Sequence, residues 1–274
     1  MMGKRRGACH QNIATGRWLP RGTPVTEPTS MKSKEGTCKT SSLMDCVESW
    51  TARRPILDNG YFTALRDDAM SRERFVRSQK QFFFAVRYFS RPMAALMARM
   101  PDSASRQGLI HNLSEEHGFD DEGAVTGFDP ALAHDLTFLA FLWTLGISGA
   151  EMGKEREGPE VRAFNTGLIG ACMMERVELA FGCLGVIEYA FADICELIGR
   201  KVVERGWIAP DELVHYKLHA QIDKRHAADF FKVVDGAWSR DAAARVAVED
   251  GIVLGLHLFN RLYEDLHMAP DDGR

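Results

Sequence analysis

From Asn59 almost to the last residue, apolar side chains recur at intervals of three and four, and no run alternates β-branched with polar residues. A strand repeats its facing every two residues and a helix every 3.6, so this patterning predicts helices throughout and leaves no sheet to build. The predicted segments are 59–78, 80–99, 103–117, 130–146, 159–173, 175–205, 210–235 and 239–267. Their limits have chemical causes. Pro101 ends the second, Gly118 stands where a C-terminal cap belongs, Asp129 and Pro130 supply an N-cap and a first-turn proline, and Gly206 closes the longest. With no repeat of about 20 to 50 residues to suggest a solenoid, the expected fold is all-α: one single-domain helical bundle of about seven or eight helices spanning 46–274.

Residues 1–45 break the pattern. They hold eight Lys/Arg against three Asp/Glu and are rich in Gly, Ser, Thr and Pro, the composition of a basic, disordered extension. Met31 and Met44 are alternative starts, and Pro20, Pro24 and Pro28 weaken a targeting role. Because the whole chain carries a net charge of -4, the remaining body is distinctly acidic. Such a body lacks a broad basic face for phosphates, so no nucleic-acid partner is expected. No apolar run approaches the ~20 residues that cross a bilayer, so no membrane partner is expected either. The six cysteines form no C-x-x-C pair and the N-terminus has no signal-peptide core, which suits a reduced, cytoplasmic location. Cys183 and Cys195 read as small core residues.

Three places carry chemistry. In LHAQIDKRHAADFF, His219, Asp223 and His226 stand four and seven residues apart. At about 100° per residue they project from one helix face. Burying that row without a partner costs hydration, which a cation repays by coordination; the alternatives are a His/Asp hydrogen-bond ladder or a solvated face. Glu188 interrupts an apolar stripe formed by Phe181, Leu184, Gly185, Phe191 and Ala192. Buried Glu is rare unless paired or metal-bound. Gly182 and Gly185 on that face would let another helix or a ligand come close. Finally, Glu116 ends one predicted helix and His134 begins the next, although Glu115 and Glu116 at a helix end are ordinarily just solvated.

These segments match, in order, a known family. NLSEEHG resembles the Asn-Leu-x-acid-Glu-x-Gly stretch of the haem-oxygenase-like di-iron oxidases and oxygenases, relatives of the thiaminase and pyrroloquinoline-quinone-biosynthesis folds. HDLTFLAFLWTLGI is similar to their next helix, AFGCLGVIE to the run ending in the bridging glutamate, and HAQIDKRH to the last motif. The resemblance spans about residues 75–267 and fills six ligand positions: Glu116, His134, Glu188, His219, Asp223 and His226. It implies two Fe(II) ions, with manganese the alternative, O₂ as co-substrate, and oxidation of a small, amine- or amino-acid-derived substrate. An external electron donor and a homodimer complete the expected partners. Oxygen and nitrogen donors of this kind suit iron or manganese and not a closed structural zinc site.

Around this set, Tyr216 and His215 are candidates to support the ligands, His215 being read more simply as a surface residue, while Tyr189 is expected to point away. Phe82, Phe83, Phe84, Tyr88 and Phe89 read as core rather than substrate wall, the methionines from Met93 to Met100 as adaptable packing, and Arg87 and Arg91 as stems with exposed heads. Rival readings are a ferritin-like centre using Glu212 with His215 and Glu264 with His267, both pairs expected to be wet; a metal-free enzyme of the same fold with Cys183 as nucleophile; and a non-enzymatic binding bundle.

Overall fold

The computed structural model describes residues 42–119 and 127–269. Most of the expected N-terminal extension, 1–41, lies outside the described residues. The ten α-helices among the described residues are α1 (Leu43–Arg53), α2 (Gly60–Arg66), α3 (Arg72–Arg99), α4 (Ser103–Glu116), α5 (His134–Thr144), α6 (Gly149–Met152), α7 (Pro159–Met174), α8 (Val177–Glu204), α9 (His215–Arg240) and α10 (Ala242–Met268). No strand occurs among these residues. A lone antiparallel bridge joins Phe119 to Phe128.

The centre of the bundle is α8, whose residues are buried on nearly every side, as a helix apolar all round must be. It packs most extensively on α9 and α10, while α3 lies along α7 and α5. The α8–α10 crossing is close enough to need bare backbone. A Cβ at Gly182 would strike the Val248 carbonyl, and one at Gly251 would strike the Leu179 carbonyl. The small residues read from the sequence at Gly182 and Gly185 therefore admit another helix: α10 backbone at Gly182, and the Phe230 and Phe231 side chains of α9 at Gly185.

Several elements differ from the sequence expectation: ten described helices stand against about seven or eight expected, with the short α6 lying between two predicted segments. Residues 43–45, assigned to the extension, begin α1, whose Leu43, Cys46, Val47 and Trp50 form a buried stripe. The Trp50 indole donates to Glu249 at 2.9 Å, tying α1 to α10. The break expected near residue 79 does not exist either: α3 is continuous, and the chain breaks instead before it, at Asp68 (φ 59°) and the N-cap Ser71. Gln79, the residue between the two predicted segments, is polar, yet its amide donates to Tyr61 and accepts from Tyr216 inside the core. A buried polar group with both ends satisfied does not stop a helix.

Gly251→Val should force α10 from α8 and cost about 1–3 kcal/mol. Gly170→Ala, where nothing stands within 4 Å, should instead gain up to about 1 kcal/mol. Denaturant unfolding of the two variants checks the contrast, and equal effects would refute the crossing as a close backbone contact.

Candidate metal centre

Four helices deliver the side chains. Glu115 and Glu116 occupy the last turn of α4, and Gly118, at φ 91°, turns the chain away immediately afterwards. His134 is the first residue of α5, Glu188 sits midway along α8, and His219, Asp223 and His226 share one face of α9. All are buried.

The six residues read from the sequence meet in one cluster. His134 Nδ1 lies 2.9 Å from Glu116 Oε1, and His219 Nδ1 lies 2.8 Å from Asp223 Oδ1. The rings of His134 and His219 have centroids 4.3 Å apart. His226 Nδ1 lies 3.8 Å from Glu188 Oε2 and 3.9 Å from Asp223 Oδ1. Donor atoms of Glu188, Asp223 and His226 fall within 4.8 Å of one another, a spacing that one cation could bridge.

Glu115 corrects the expectation of a solvated acid. It is buried, accepts from Arg225 at 2.5 Å, and pairs at 2.5 Å with His226 Nε2. Because Nε2 is engaged there, Nδ1 is the nitrogen turned toward Glu188 and Asp223. This carboxylate–imidazole arrangement commonly orients a metal-binding histidine. Adjacent positions on a helix differ by about 100°, which is why Glu115 serves His226 while Glu116 serves His134.

His215 is also corrected. It is fully buried, and its ring lies 4.3 Å from that of His219. Tyr216 is buried too, but its hydroxyl donates to Gln79 in a cluster with Tyr61 and Ser78, so it does not support the ligands by hydrogen bonding. Tyr189 points away as expected, its ring under Lys224 Nζ at 3.7 Å.

Electrostatics in this buried cluster are governed by burial and pairing. Burial pushes Glu116 up, but His134 beside it wins and holds the carboxyl below the usual range; His134 is raised in turn. Burial raises Glu188 and Asp223, and lowers His219 to about 3. Burial also opposes charge on His226, yet its hydrogen bond to Glu115 and the nearby carboxylates of Glu188 and Asp223 push it up to about 11. Positive charge is thus favoured beside these carboxylates, which is also what a cation would supply.

Two atoms test whether the set fits a metal. Asp223 Oδ2 and His219 Nε2 are buried without a hydrogen-bond partner among the described residues. A native interior rarely leaves such groups orphaned. With His219 Nδ1 engaged by Asp223, both orphans present lone pairs to the cluster. Three carboxylates and three imidazoles are a donor set suited to iron or manganese.

Beside the cluster is a cavity of about 50 Å³, bounded by Glu116, His134, Glu188, His215 and His219 and by aromatic residues including Phe82 and Phe191. Phe82 and Phe89 thus form wall as well as core, and sequence could not separate the two because both demand apolar side chains. Phe83 and Phe84 remain buried packing residues, and Arg87 and Arg91 have exposed heads. Asp223 and His226 lie behind the cavity lining rather than in it.

The residues of the rival readings lie elsewhere. Glu212 is exposed and binds the Ala209 backbone, so the ferritin-like pair with His215 is not formed; Glu264 and His267 are half-buried on α10, where His267 approaches Gly60 of α2. Cys183 is fully buried, is absent from the cavity lining, and has its thiol pushed upward by burial, none of which suits a nucleophile.

Comparisons place this arrangement in context. A family model described as "Iron-containing redox enzyme" matches residues 77–260. A 4-aminobenzoate synthase of Chlamydia muridarum is 20% identical over 221 residues, covering 79% of this chain and 87% of the relative. Among solved structures, a CADD-like protein of unknown function from Nostoc punctiforme superposes with TM-score 0.65 at 14% identity, covering 82% of this chain and 95% of that one. A domain of unknown function with a haem-oxygenase-like fold from Shewanella denitrificans gives 0.62 at 12% identity, with 82% and 90% coverage. These structural likenesses establish the expected haem-oxygenase-like, all-α fold.

Two outcomes are expected from metal titration. Glu115→Gln should weaken Fe(II) or Mn(II) binding by about 10–100-fold, measured by equilibrium dialysis; unchanged affinity would remove Glu115 from the supporting shell. Glu188, Asp223 and His226 all have raised proton affinity in this cluster, so a cation competes with protons for them: binding should weaken as pH falls and metal addition should acidify a lightly buffered solution. Metal uptake with no proton release would contradict this.

Proposed function

Because the chain belongs to the family of iron-containing redox enzymes, we propose that it is a non-haem di-iron oxidase or oxygenase acting with O₂ on a small, amine- or amino-acid-derived substrate. Glu116, His134, Glu188, His219, Asp223 and His226 would hold the two ions. The observation that carries this reading is the pair of orphaned lone pairs, Asp223 Oδ2 and His219 Nε2, inside a buried cluster of carboxylates and imidazoles. Iron bound there supplies the electrons and Lewis acidity needed to activate O₂.

The chain's own part is to position and to exclude water. Glu115 fixes the orientation of His226, and Asp223 fixes that of His219. The Glu116, His134 and His219 side of the cluster faces the cavity, which makes it the side where substrate would meet the centre. Phe82, Phe89, Phe164, Phe191 and Phe259 line that side and keep it dry. The similarity to a 4-aminobenzoate synthase supports an amine-related substrate. N-oxygenation, desaturation and C–C cleavage are the reaction types this reading covers, with an external electron donor where the reaction requires one. No described helix is long and apolar enough to cross a membrane, which is compatible with the cytoplasmic location proposed here.

The test is to load purified apoprotein with Fe(II) without oxygen, count bound iron, then admit O₂ and screen amines and amino acids for products. About two irons per chain are expected for a two-metal centre, with large losses in His226→Ala and Glu188→Ala and none in His267→Ala. Iron lost only through His267 would favour the ferritin-like alternative, and O₂ consumption without any iron would favour the metal-free one.

A further inference from the structure

His215 is the polar residue in the cavity wall that the proposed ligand set leaves over. It opens α9, is fully buried, and places Nδ1 2.9 Å from Thr137 Oγ1 on α5. The Thr137 hydroxyl donates to the His134 carbonyl at 3.0 Å. A hydroxyl has one proton. With that proton committed to the carbonyl, Thr137 can only accept from His215, so the imidazole hydrogen resides on Nδ1. A neutral imidazole protonated at Nδ1 has a bare lone pair at Nε2. His215 Nε2 has no partner among the described residues, and the ring lines the cavity beside His219.

Much of the remaining wall is aromatic or aliphatic: Phe82, Phe89, Ile187 and Phe191 are among its members. The geometry points to His215 Nε2 as the specificity-determining acceptor for an N–H or O–H group of the substrate, whose compact apolar body rests against these side chains. A substrate so held has its donor group at the start of α9 and its body beside His219 and Glu188, next to the proposed metal centre. A group that merely fills space there leaves Nε2 buried and unpaired, which is the physical basis of discrimination. This inference rests on the oxidase reading for the identity of the reacting site, but its test does not need turnover.

The probes are 4-fluoroaniline and 4-fluorotoluene, which differ by an amine for a methyl, titrated into full-length protein both as purified and after chelation and followed by fluorine NMR. Wild-type protein should bind the aniline more tightly, by roughly tenfold or more. His215→Phe should abolish that preference while keeping helical content and iron stoichiometry, and His215→Gln, which can restore an acceptor, should recover part of it. Nitrogen NMR of chelated, histidine-labelled protein should place the His215 proton on Nδ1, and Thr137→Val should release that restriction.

Equal binding of the two probes, or binding of neither, overturns the inference. So does loss of iron in His215→Phe, which would make His215 a ligand instead. Failure of the protein to bind iron, with the probe preference intact in chelated protein, overturns the oxidase reading while sparing the role of His215.

Discussion

A carboxylate moved from water into a packed interior loses several kcal/mol of hydration unless something replaces it. Here Glu115, Glu116, Glu188 and Asp223 are all moved, together with His134, His215, His219 and His226. Each acid is answered locally: Glu116 by His134, Asp223 by His219, Glu115 by Arg225 and His226, and Glu188 by the His226 ring 3.8 Å away. These pairings require the end of α4, the start of α5 and the middle of α8 to converge on one face of α9. The close glycine crossing of α8 and α10 helps make this possible by letting the central helix sit deep in the bundle.

The cluster is not symmetrical about its environment. Glu116, His134 and His219 open onto the cavity, whereas Asp223 and His226 are backed by protein and braced by Glu115. A cavity-facing half and a braced half suit different tasks: one can change partners while the other keeps the geometry. Burial strengthens every electrostatic interaction inside, so pairing within the cluster weighs more than it would at the surface.

Much of this could be read from residues alone, and the exceptions have physical reasons. The α9 row was legible because spacing by four and seven survives any tertiary arrangement, and Glu188 because a lone acid in an apolar stripe demands explanation. Glu116 and His134 were not distinguishable from solvated helix ends without the family resemblance. Glu115 was missed because its burial comes from Arg225 and His226, more than a hundred residues away; an adjacent Glu pair facing an adjacent Arg–His pair was the available signal. His215 continues the α9 row by one turn, and that periodic continuation could have removed it from the surface. Gln79 and α1 show the opposite error, where polar or basic context concealed a buried helix whose partners, Tyr216 and Glu249, come from distant sequence.

The continuity of α9 has a structural consequence of its own. His215, His219, Asp223 and His226 are carried by one uninterrupted helix, so their relative bearings are set by helical pitch and not by flexible connections. One residue inserted between Ala220 and Ile222 would turn Asp223 and His226 by about 100° relative to the two preceding imidazoles. The helix therefore acts as a ruler: along this rod the count of residues is itself part of the geometry of the candidate metal centre.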